Sequence, residues 1–413
     1  MKNWNQLTHF AGVDWAKDSH GVVVIDAAGH VVEEITVEHT AEGWRSFRQR
    51  LARYPALAIA VESGQGLVIE QLLLTQAIIF VVPGKSAVAY RTRKAPSGTK
   101  TDRLDAWCLA CALRSDGHGW RAVQTPDELT QKLRLLCRDQ VELIGQRTAF
   151  VNQLQAALRD YYPAALAAFD DWTMPATWAF IERFPDPATL AKAGKRQWEK
   201  FLHLHYLARP QTYQKRLDIF ARAGELIASA GVTAAKAMLA RSLAELLRTL
   251  QRQIDAYDAA IRALFDQHPD RGLFDSLPGA GPRLAPRLLA EVGPDRDLFA
   301  DPNALQCYAG TAPVSFQSGK LHKVQIRYGC NKHLRAAVHL WVDQTSRHCP
   351  WSKVYYQAMR ARGKTHACAL RNLGQRWLKI LWKMWQTRSS YDAQLHANNQ
   401  LKHGSWVLQV NPT

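Results

Sequence analysis

The chain has 413 residues, which is enough for two or three domains with substantial cores. Its 53 lysines and arginines against 36 acids give a net charge of +17, which favours a polyanionic partner. No apolar run reaches the roughly 18 residues needed to span a membrane, so we expect no membrane-embedded segment. The seven scattered cysteines, with no secretory signal before them, predict reduced thiols in a cytoplasmic protein.

The positive charge is concentrated towards the C-terminus. Residues 302–388 contain 15 lysines and arginines and a single acid, Asp343. The rest of the chain is nearly balanced, with 38 basic and 35 acidic side chains. We therefore expect the main nucleic-acid-binding surface in residues 302–388. Its predicted contacts are Lys320, Lys323, Arg327, Lys332, Arg335, Arg371, Arg376 and Lys379.

The N-terminal residues predict a mixed sheet. Three strands joined by short hairpins are expected first, followed by alternating helices and strands. The predicted strands are residues 9–14, 21–26, 30–37, 57–61 and 77–82, and the predicted helices are residues 41–54 and 66–76. A three-strand meander followed by alternating helices and strands is the order of a ribonuclease H-like domain.

Four acids stand where such a sheet places a ligand site. Asp14 and Glu62 each end an apolar run, so each is expected at the carboxyl end of a buried strand. Asp102 and Asp105 are spaced i, i+3 and share one face of a predicted helix. Four carboxylates in this arrangement predict a hard oxygen-ligand site for Mg²⁺. The alternative for the helical pair is a solvated helix start beside Arg103.

A basic segment leads into this helix. Residues 85–103 surround a Pro-Ser-Gly sequence, and we expect a flexible loop that guides a phosphate backbone towards the metal. The alternative is a solvated loop without a ligand. The predicted contacts are Lys85, Arg91, Arg93, Lys94, Lys100 and Arg103. In the helix itself, Cys108 and Cys111 lie in an apolar run, which favours buried thiols over a zinc site.

The middle of the chain predicts long helices. Thr125-Pro126-Asp127-Glu128 has the pattern of a capping box, and apolar residues then repeat every seven positions from Leu129 to Ala157. Gln140 and Arg147 are polar breaks in this seam. A second amphipathic helix is expected at residues 236–265, whereas residues 165–232 are less regular. The seam pairs within one chain or between chains, and we favour a role in assembly.

The C-terminal part combines helices with one non-helical segment. Pro278-Gly279-Ala280-Gly281-Pro282 resembles a helix–hairpin–helix turn, although an ordinary turn between helices fits equally well. A short helix from residue 301 to 310 precedes residues 311–320, which contain Ser315 and Ser318. Basic helices are predicted at residues 332–347, 352–362 and 365–387. Residues 389–413 are expected to form a loosely ordered tail.

Three motifs together resemble a known family, the DEDD insertion-sequence transposases related to the Piv and MooV invertases. The first is Gly12-Val13-Asp14 with Glu62, and the second is Lys100-Thr101-Asp102-Arg103-Leu104-Asp105-Ala106. The third is the 278–282 turn followed by Ala309-Gly310-Thr311-Ala312-Pro313 and then Gln317-Ser318-Gly319. Their order agrees over about residues 9–388.

The resemblance implies a RuvC-like domain at residues 1–120, a coiled-coil region at 121–270, a transposase domain at 271–390 and a tail at 391–413. It implies that Asp14, Glu62, Asp102 and Asp105 bind Mg²⁺ and that Ser318, rather than Ser315, is the nucleophile. It further implies donor and target DNA as substrates and a non-coding bridge RNA as the guide. The seven-residue repeat predicts a homo-oligomer (dimer or tetramer) joined through residues 127–160. The acids and the serine are expected to meet between domains or between protomers.

Three other classes of protein remain as alternatives. A hydrolytic RuvC-like nuclease or junction resolvase uses the same acids with water and needs no serine. An actin-like phosphotransferase also begins with an Asp-containing hairpin, but Trp15-Ala16-Lys17 stands where its glycine-rich phosphate loop belongs. A non-catalytic RNA-binding protein would keep the acids for structural reasons. Covalent trapping of the protein on DNA would distinguish a serine-dependent transposase from all three alternatives.

Overall fold

The computed structural model describes residues 4–62, 66–124 and 127–405. The chain divides into two compact units, residues 1–126 and 127–413. None of the described helices is long and apolar enough to cross a bilayer. The seven cysteines are free thiols, and Cys108 and Cys111 are buried, as the apolar run around them predicts.

The first unit is built on a five-stranded mixed sheet. The strands lie in the order β3-β2-β1-β4-β5. The β3–β2 and β2–β1 pairs are antiparallel, and the β1–β4 and β4–β5 pairs are parallel. Their bounds are β1 His9–Asp14, β2 Ser19–Asp26, β3 Val31–Glu38, β4 Leu57–Val61 and β5 Ile78–Val81. The sequence therefore predicts the strand set correctly, and β1 and β4 begin and end at the predicted residues.

Four helices complete this unit. They are α1 Ala41–Leu51, α2 Leu67–Leu73, α3 Gly84–Lys94 and α4 Asp102–Asp116. The prediction of a flexible loop over residues 85–103 is wrong for its first half, which forms α3. The apolar periodicity that reveals a helix is missing there, because no residue of α3 is buried. Only residues 95–101 connect α3 to α4.

The two faces of the sheet bury different side chains. One face packs against α1 and α2 through Ala11, Val13, Ile59 and Val61. The other face packs against α4 through the alternate positions of the same strands, Phe10, Ala58 and Ala60 among them. The alternation follows from the two-residue repeat of a strand, and it decides where any polar residue at a strand end must point.

Helix α4 lies directly on the backbone of β1. A Cβ atom at Gly12 would lie 2.7 Å from Ala110 N and 2.8 Å from Leu109 Cβ, and closer still to Ala106 O. On the neighbouring strand, a Cβ atom at Gly21 would lie 3.2 Å from Asp102 O. These two glycines therefore let the first turns of α4 approach the sheet more closely than any side chain permits.

The second unit is mostly helical. Two long helices, α5 Glu128–Tyr161 and α10 Ala230–Gln267, enclose four shorter ones in the chain: α6 Pro163–Ala168, α7 Pro175–Arg183, α8 Pro187–Leu204 and α9 Pro210–Ala221. After α10 come α11 Arg271–Asp275, α12 Gly281–Val292, α13 Pro302–Tyr308, α14 Lys332–His348, α15 Pro350–Ala361, α16 His366–Thr387 and α17 Ala393–Lys402. A two-stranded ribbon, β6 Val314–Ser318 with β7 Leu321–Gln325, stands between α13 and α14.

Helices α5 and α10 form an antiparallel pair within the chain. The Gln140 amide donates to Asp258 (2.6 Å), and Arg147 donates to Gln251 (2.6 Å). Near the ends of the pair, Thr130 bonds His268 (3.0 Å) and Lys236 pairs with Asp160 (2.7 Å). The seven-residue seam of α5 is therefore occupied by α10 of the same chain. The seam no longer supports the prediction that two copies of the protein associate through residues 127–160.

The start of α5 differs from the predicted capping box. Asp127 is the N-cap, and its side chain accepts from Thr130 N. Thr125 and Pro126 lie outside the described residues. The predicted second helix is longer than expected at both ends, since α10 covers Ala230–Gln267 rather than residues 236–265.

Two cores hold the second unit together. One end of the α5–α10 pair packs with α6–α9 around Trp178, Phe180 and Phe220, so the irregular stretch 165–232 is an ordered helical cluster. The other end packs with α11–α16 around Phe265, Trp341 and Trp377. This second core crosses residue 270, where a domain boundary is predicted. The tail is also partly ordered, because residues 393–402 form α17 and His396 packs on Trp351.

We predict that Gly12→Ala lowers the free energy of unfolding by about 1–3 kcal/mol, because the added methyl group must push α4 off β1. The same displacement moves Asp102 and Asp105 away from Asp14. The DNA-transfer activity that the family resemblance implies should therefore fall together with the free energy of unfolding. Urea unfolding of the full chain measures the first effect. Gly119→Ala is the matched control, since its Cβ meets no atom within 4 Å. Equal stability of the two variants would contradict the close packing.

Candidate active site

The alternation of the strands brings Asp14 and Glu62 to the same face of the sheet. Asp14 is the last residue of β1 and shares a face with Phe10 and Gly12, the face that α4 covers. Glu62 follows β4 directly and continues the positions of Ala58 and Ala60 on that face. Because β1 and β4 are parallel neighbours, their carboxyl ends lie side by side.

Helix α4 adds two more carboxylates from above. Asp102 and Asp105 continue the stripe of Ala106, Leu109 and Ala110 with which α4 faces the sheet. The backbone of Asp102 lies over Gly21, and Gly21 is the register partner of Asp14. Thr101 caps the helix by accepting from Leu104 N (3.1 Å), which fixes where the first turn begins.

The four acids influence one another electrostatically. The pKa of Asp14 is raised to about 6. Burial is the largest cause, and the charges of Asp105, Asp102 and Glu62 also raise this pKa, whereas Lys100 lowers it. Asp14 and Asp105 are half-buried, whereas Glu62 and Asp102 are exposed. The four predicted acids, here called the acid cluster, are therefore near enough to influence Asp14 electrostatically, although no three of them converge as metal ligands do within the described residues.

Asp105 already has a cationic partner. Arg91, on α3, donates to both of its carboxylate oxygens at 3.0 Å. Arg103 is likewise engaged, since it pairs with Glu34 (2.5 Å). Both arginines are predicted nucleic-acid contacts, and each must leave a carboxylate before it can meet a phosphate.

The donor set fits a divalent cation chemically, because carboxylate oxygens are the ligands that Mg²⁺ prefers and the cluster has uncompensated charge. The geometry does not yet form a closed site. Within residues 4–62, 66–124 and 127–405, no three acidic, histidine or cysteine side chains converge closely enough to hold a metal ion. The expected convergence of at least three carboxylates is therefore not found. Because Arg91 donates to both carboxylate oxygens of Asp105, this side chain is not free to act as a ligand while the pair persists.

The other predicted nucleic-acid contacts of this unit lie on or after α3. Lys85, Arg93, Lys94 and Lys100 are exposed. The ammonium group of Lys94 lies 5.1 Å from the centre of the Trp107 ring on α4. The sequence does not predict that Gly12 and Gly21 allow α4 to approach the sheet. Gly12 lies two residues before Asp14 on β1 and shares its face, and Gly21 is the register partner of Asp14.

The predicted nucleophile belongs to the exposed ribbon of the second unit. Every residue of β6 and β7 is exposed, so no layer formed by the described residues covers either face. Ser318 is the last residue of β6 and pairs with Leu321 across a two-residue turn. Gly319 has φ +54°, the left-handed conformation that this tight turn requires. Within the described part of the chain, Ser318 Oγ has no hydrogen-bond partner.

Ser315 and Ser318 point to opposite faces of the ribbon, because they are three residues apart on one strand. The face of Ser318 also carries Phe316 and its register partner Lys323. The two serines are therefore sterically distinct, and a substrate on one face of the ribbon reaches only one of them.

The predicted cations of the second unit line the ribbon and the adjoining helices. Lys320, Lys323, Lys332, Arg376 and Lys379 are exposed, and Arg327, Arg335 and Arg371 are half-buried. The guanidinium group of Arg376 lies 6.0 Å from the centre of the Tyr355 ring. The structure therefore leaves most of them accessible to a ligand.

The glycine turn between α11 and α12 is packed against α14. A Cβ at Gly279 would lie 3.1 Å from Gln344 Cβ, and Trp341 Nε1 donates to Pro278 O (3.0 Å). Gly279 and Gly281 have φ +73° and +57°. These contacts support the ordinary turn between helices, which the sequence left open beside a phosphate-binding turn.

We predict that Asp14→Asn stabilises the metal-free protein at about pH 7.5 by roughly 1 kcal/mol, after allowance for screening by solvent. The pKa of Asp14 is about 6 in the folded chain against 3.8 ordinarily, so folding loses stability as pH rises between these values. The gain should therefore vanish near pH 4. Urea unfolding in EDTA at both pH values measures it, with exposed Asp18→Asn as control. A loss of stability at pH 7.5 would contradict the cluster's excess charge.

The chain is similar to known transposases. A family model for DEDD transposases of the IS110 group matches residues 11–163, and a model described as the transposase IS116/IS110/IS902 family matches residues 271–357. The first range contains all four acids and the second contains Ser318.

Curated relatives match nearly the whole chain. A mini-circle putative transposase for IS117 from Streptomyces coelicolor is 31% identical over 402 residues, covering 94% of this chain and 97% of the relative. An uncharacterized protein of insertion element IS110 from the same organism is 29% identical, covering 95% and 97%. A protein of IS900 from Mycobacterium paratuberculosis is 27% identical, covering 92% and 96%. The chain therefore belongs to the DEDD transposases of the IS116/IS110/IS902 family, whose activity is the cleavage and transfer of DNA.

Proposed function

We propose that this transposase cuts and rejoins DNA through a phosphoserine intermediate on Ser318. The observation that carries the proposal is the position of this serine, exposed at the tip of an uncovered ribbon and without a hydrogen-bond partner in the described residues. A serine that caps its own turn would have its hydroxyl engaged. Lys320 and Lys323, beside it, provide positive charge for a phosphate.

The chemistry conserves the energy of the phosphodiester bond. Ser318 Oγ attacks phosphorus, a new Oγ–P bond forms and one bond from phosphorus to a deoxyribose oxygen breaks. The proton lost from the serine hydroxyl is balanced by the proton that the released DNA hydroxyl gains. Attack of a second DNA hydroxyl on the phosphoserine reverses these changes and regenerates the serine. Attack by water would end the reaction as hydrolysis, without joining two strands.

The acid cluster of the first unit is proposed to hold a divalent cation, Mg²⁺. When bound, the ion supplies Lewis-acid stabilisation of charge on a phosphate. Asp14, Glu62 and Asp102 would hold it, joined by Asp105 once Arg91 has released that carboxylate. Arg91 would then be free to contact the phosphate backbone. The ribonuclease H-like, RuvC-like assignment of the unit belongs to the same proposal and is supported by its strand order.

The proposed partners are donor DNA, target DNA and a non-coding bridge RNA. The charge of residues 302–388 supports nucleic-acid binding, and the resemblance to the family supports the RNA guide. We also propose a homo-oligomer. Because α10 fills the seam of α5, its copies must meet through a surface other than that seam.

A hydrolytic nuclease is the second candidate, since the acid cluster alone would serve it. The half-buried and exposed carboxylates lie open enough for water to reach them. The two candidates differ in one product: only the serine route leaves protein covalently joined to DNA.

We predict that wild-type protein incubated with Mg²⁺, RNA transcribed from the DNA flanking its gene, and end-labelled element DNA yields labelled protein after denaturation. Ser318→Ala should lower the adduct by at least about 100-fold, because no other hydroxyl lies at that point of the ribbon. Ser315→Ala, on the opposite face of the same strand, is the matched control and should retain adduct.

The control also tests the geometry. Loss of adduct in Ser315→Ala with retention in Ser318→Ala would show that the other face of the ribbon meets the DNA. Recombinant product from Ser318→Ala, with cleavage still dependent on Asp14, would contradict the serine route and favour the hydrolytic candidate.

A further inference from the structure

A pocket lies between the base of the β6–β7 ribbon and the first turns of α16. Its volume is about 250 Å³. Pro313 and Ile326 form part of the ribbon side, and Cys368 and Gln375 form part of the helix side. Gln375 Nε2 donates to Thr311 O (2.9 Å), which ties the two walls together.

Three cations line this pocket without an acid among them: Arg327, Lys364 and Arg371. The one acid of residues 302–388, Asp343, is already paired with Arg347 (2.7 Å). Within the described residues, none of the three cations forms an ion pair with a carboxylate. Their mutual repulsion is therefore uncompensated until an anion enters.

The pocket also presents donors that have no strong acceptor. Arg327 is held in place by long contacts to Ala312 O (3.3 Å) and Pro313 O (3.4 Å). The amide of Asn372 contacts only Met359 Sδ, at 3.8 Å, within the described part of the chain. Lys364, Arg371 and Asn372 can thus all donate to one ligand. Several donors, a net positive charge and no acidic wall are the requirements of a phosphate.

We propose that this pocket binds a backbone phosphate of the DNA strand that Ser318 attacks. The pocket is lined by the ribbon residues next to Val314, four residues before Ser318, which is about 13 Å along a strand. Consecutive phosphates of one duplex strand lie about 7 Å apart in a straight line, because each step advances about 3.4 Å along the axis and also turns around it. The bound phosphate therefore lies about two nucleotides from the scissile one. This inference rests on the proposed function of Ser318.

An anchor at this distance fixes which phosphate meets the serine. Within the described residues, the ribbon has no protein layer on either face, so it cannot position a strand by shape alone. A second contact at its base restricts sliding and rotation of the strand, which is how remote binding promotes a reaction at the reacting atoms. Lys364 and Arg371 are thus positioning residues, and the chemistry stays with Ser318.

The double variant Lys364→Gln/Arg371→Gln removes two of the three positive charges of the pocket and leaves Arg327, which packs on the ribbon base, in place. With a fluorescein-labelled 20-bp duplex, we expect its anisotropy titrations in KCl to show a slope of log K against log[KCl] that is less negative by about 0.9, one phosphate contact. The matched control is Lys353→Gln/Lys383→Gln, which removes two exposed charges of the same unit that do not line the pocket. Equal changes in the two variants would overturn the site.

The distance to Ser318 is read from adduct formation. A neutral methylphosphonate placed at successive positions of the strand should lower wild-type adduct most at about two nucleotides from the linked phosphate. The Lys364→Gln/Arg371→Gln variant should have lost this sensitivity. A maximum at another position would overturn the proposed placement.

Lysine acetylation of the wild-type chain tests, without any mutation, whether DNA occupies the pocket. We expect duplex DNA to protect Lys364 from acetylation at least threefold more than Lys353, as read by mass spectrometry. No protection of Lys364 would overturn the pocket as a phosphate site, and protection by duplex RNA alone would overturn its assignment to DNA. Ser318→Ala protein should give the same protection, so failure of the serine chemistry is distinguished from failure of the pocket.

Discussion

The contact between α4 and β1 is the constraint on which the candidate site depends. Gly12 and Gly21 leave no side chain between the helix and two strands, so the first turns of α4 rest on backbone. This close approach carries Asp102 and Asp105 to the sheet end where Asp14 and Glu62 emerge. The raised pKa of Asp14 reflects first its burial and then the charges of the neighbouring carboxylates Asp105, Asp102 and Glu62.

The cost of such a cluster explains the arginine that faces it. Without a cation, neighbouring carboxylates repel one another and destabilise the fold. Arg91 neutralises Asp105 through two hydrogen bonds of 3.0 Å, so the metal-free chain keeps part of the cluster satisfied. The second unit has the opposite problem, because its excess is positive and its pocket cations have no carboxylate among the described residues. Both regions are suited to a ligand that brings the missing charge.

The sequence predicts the sheet well because apolar runs bounded by turn residues, such as those of β1 and β4, are a strong local signal. It fails at α3, where no residue is buried and no apolar face marks a helix. The tail helix α17 is missed for the same reason, since it also has no buried residue. Heptads identify a seam on α5 but cannot name its partner. Gln140 and Arg147 donate hydrogen bonds to Asp258 and Gln251, which lie more than 100 residues further along the chain.

The candidate site shows the same division. Strand position and helical spacing predict the four acids, yet they do not predict that Arg91 binds Asp105, because side-chain pairing across elements leaves no periodic signal. The choice of Ser318 over Ser315 rests on the resemblance to the transposase family. The hairpin that carries Ser318 is not predicted from the sequence, because β6 and β7 bury no side chains and so show no alternating apolar pattern. The anion pocket depends on α16 meeting the ribbon base, a contact that only the folded chain reveals.

The central claim is that one serine carries the DNA. Covalent complexes formed by wild-type protein can be digested with nuclease and protease, and the residue that retains a nucleotide can be located by tandem mass spectrometry. The account predicts a nucleotide phosphate on Ser318 and on no other residue. A nucleotide on Ser315, on a tyrosine or on any other side chain, with Ser318 unmodified, would contradict it.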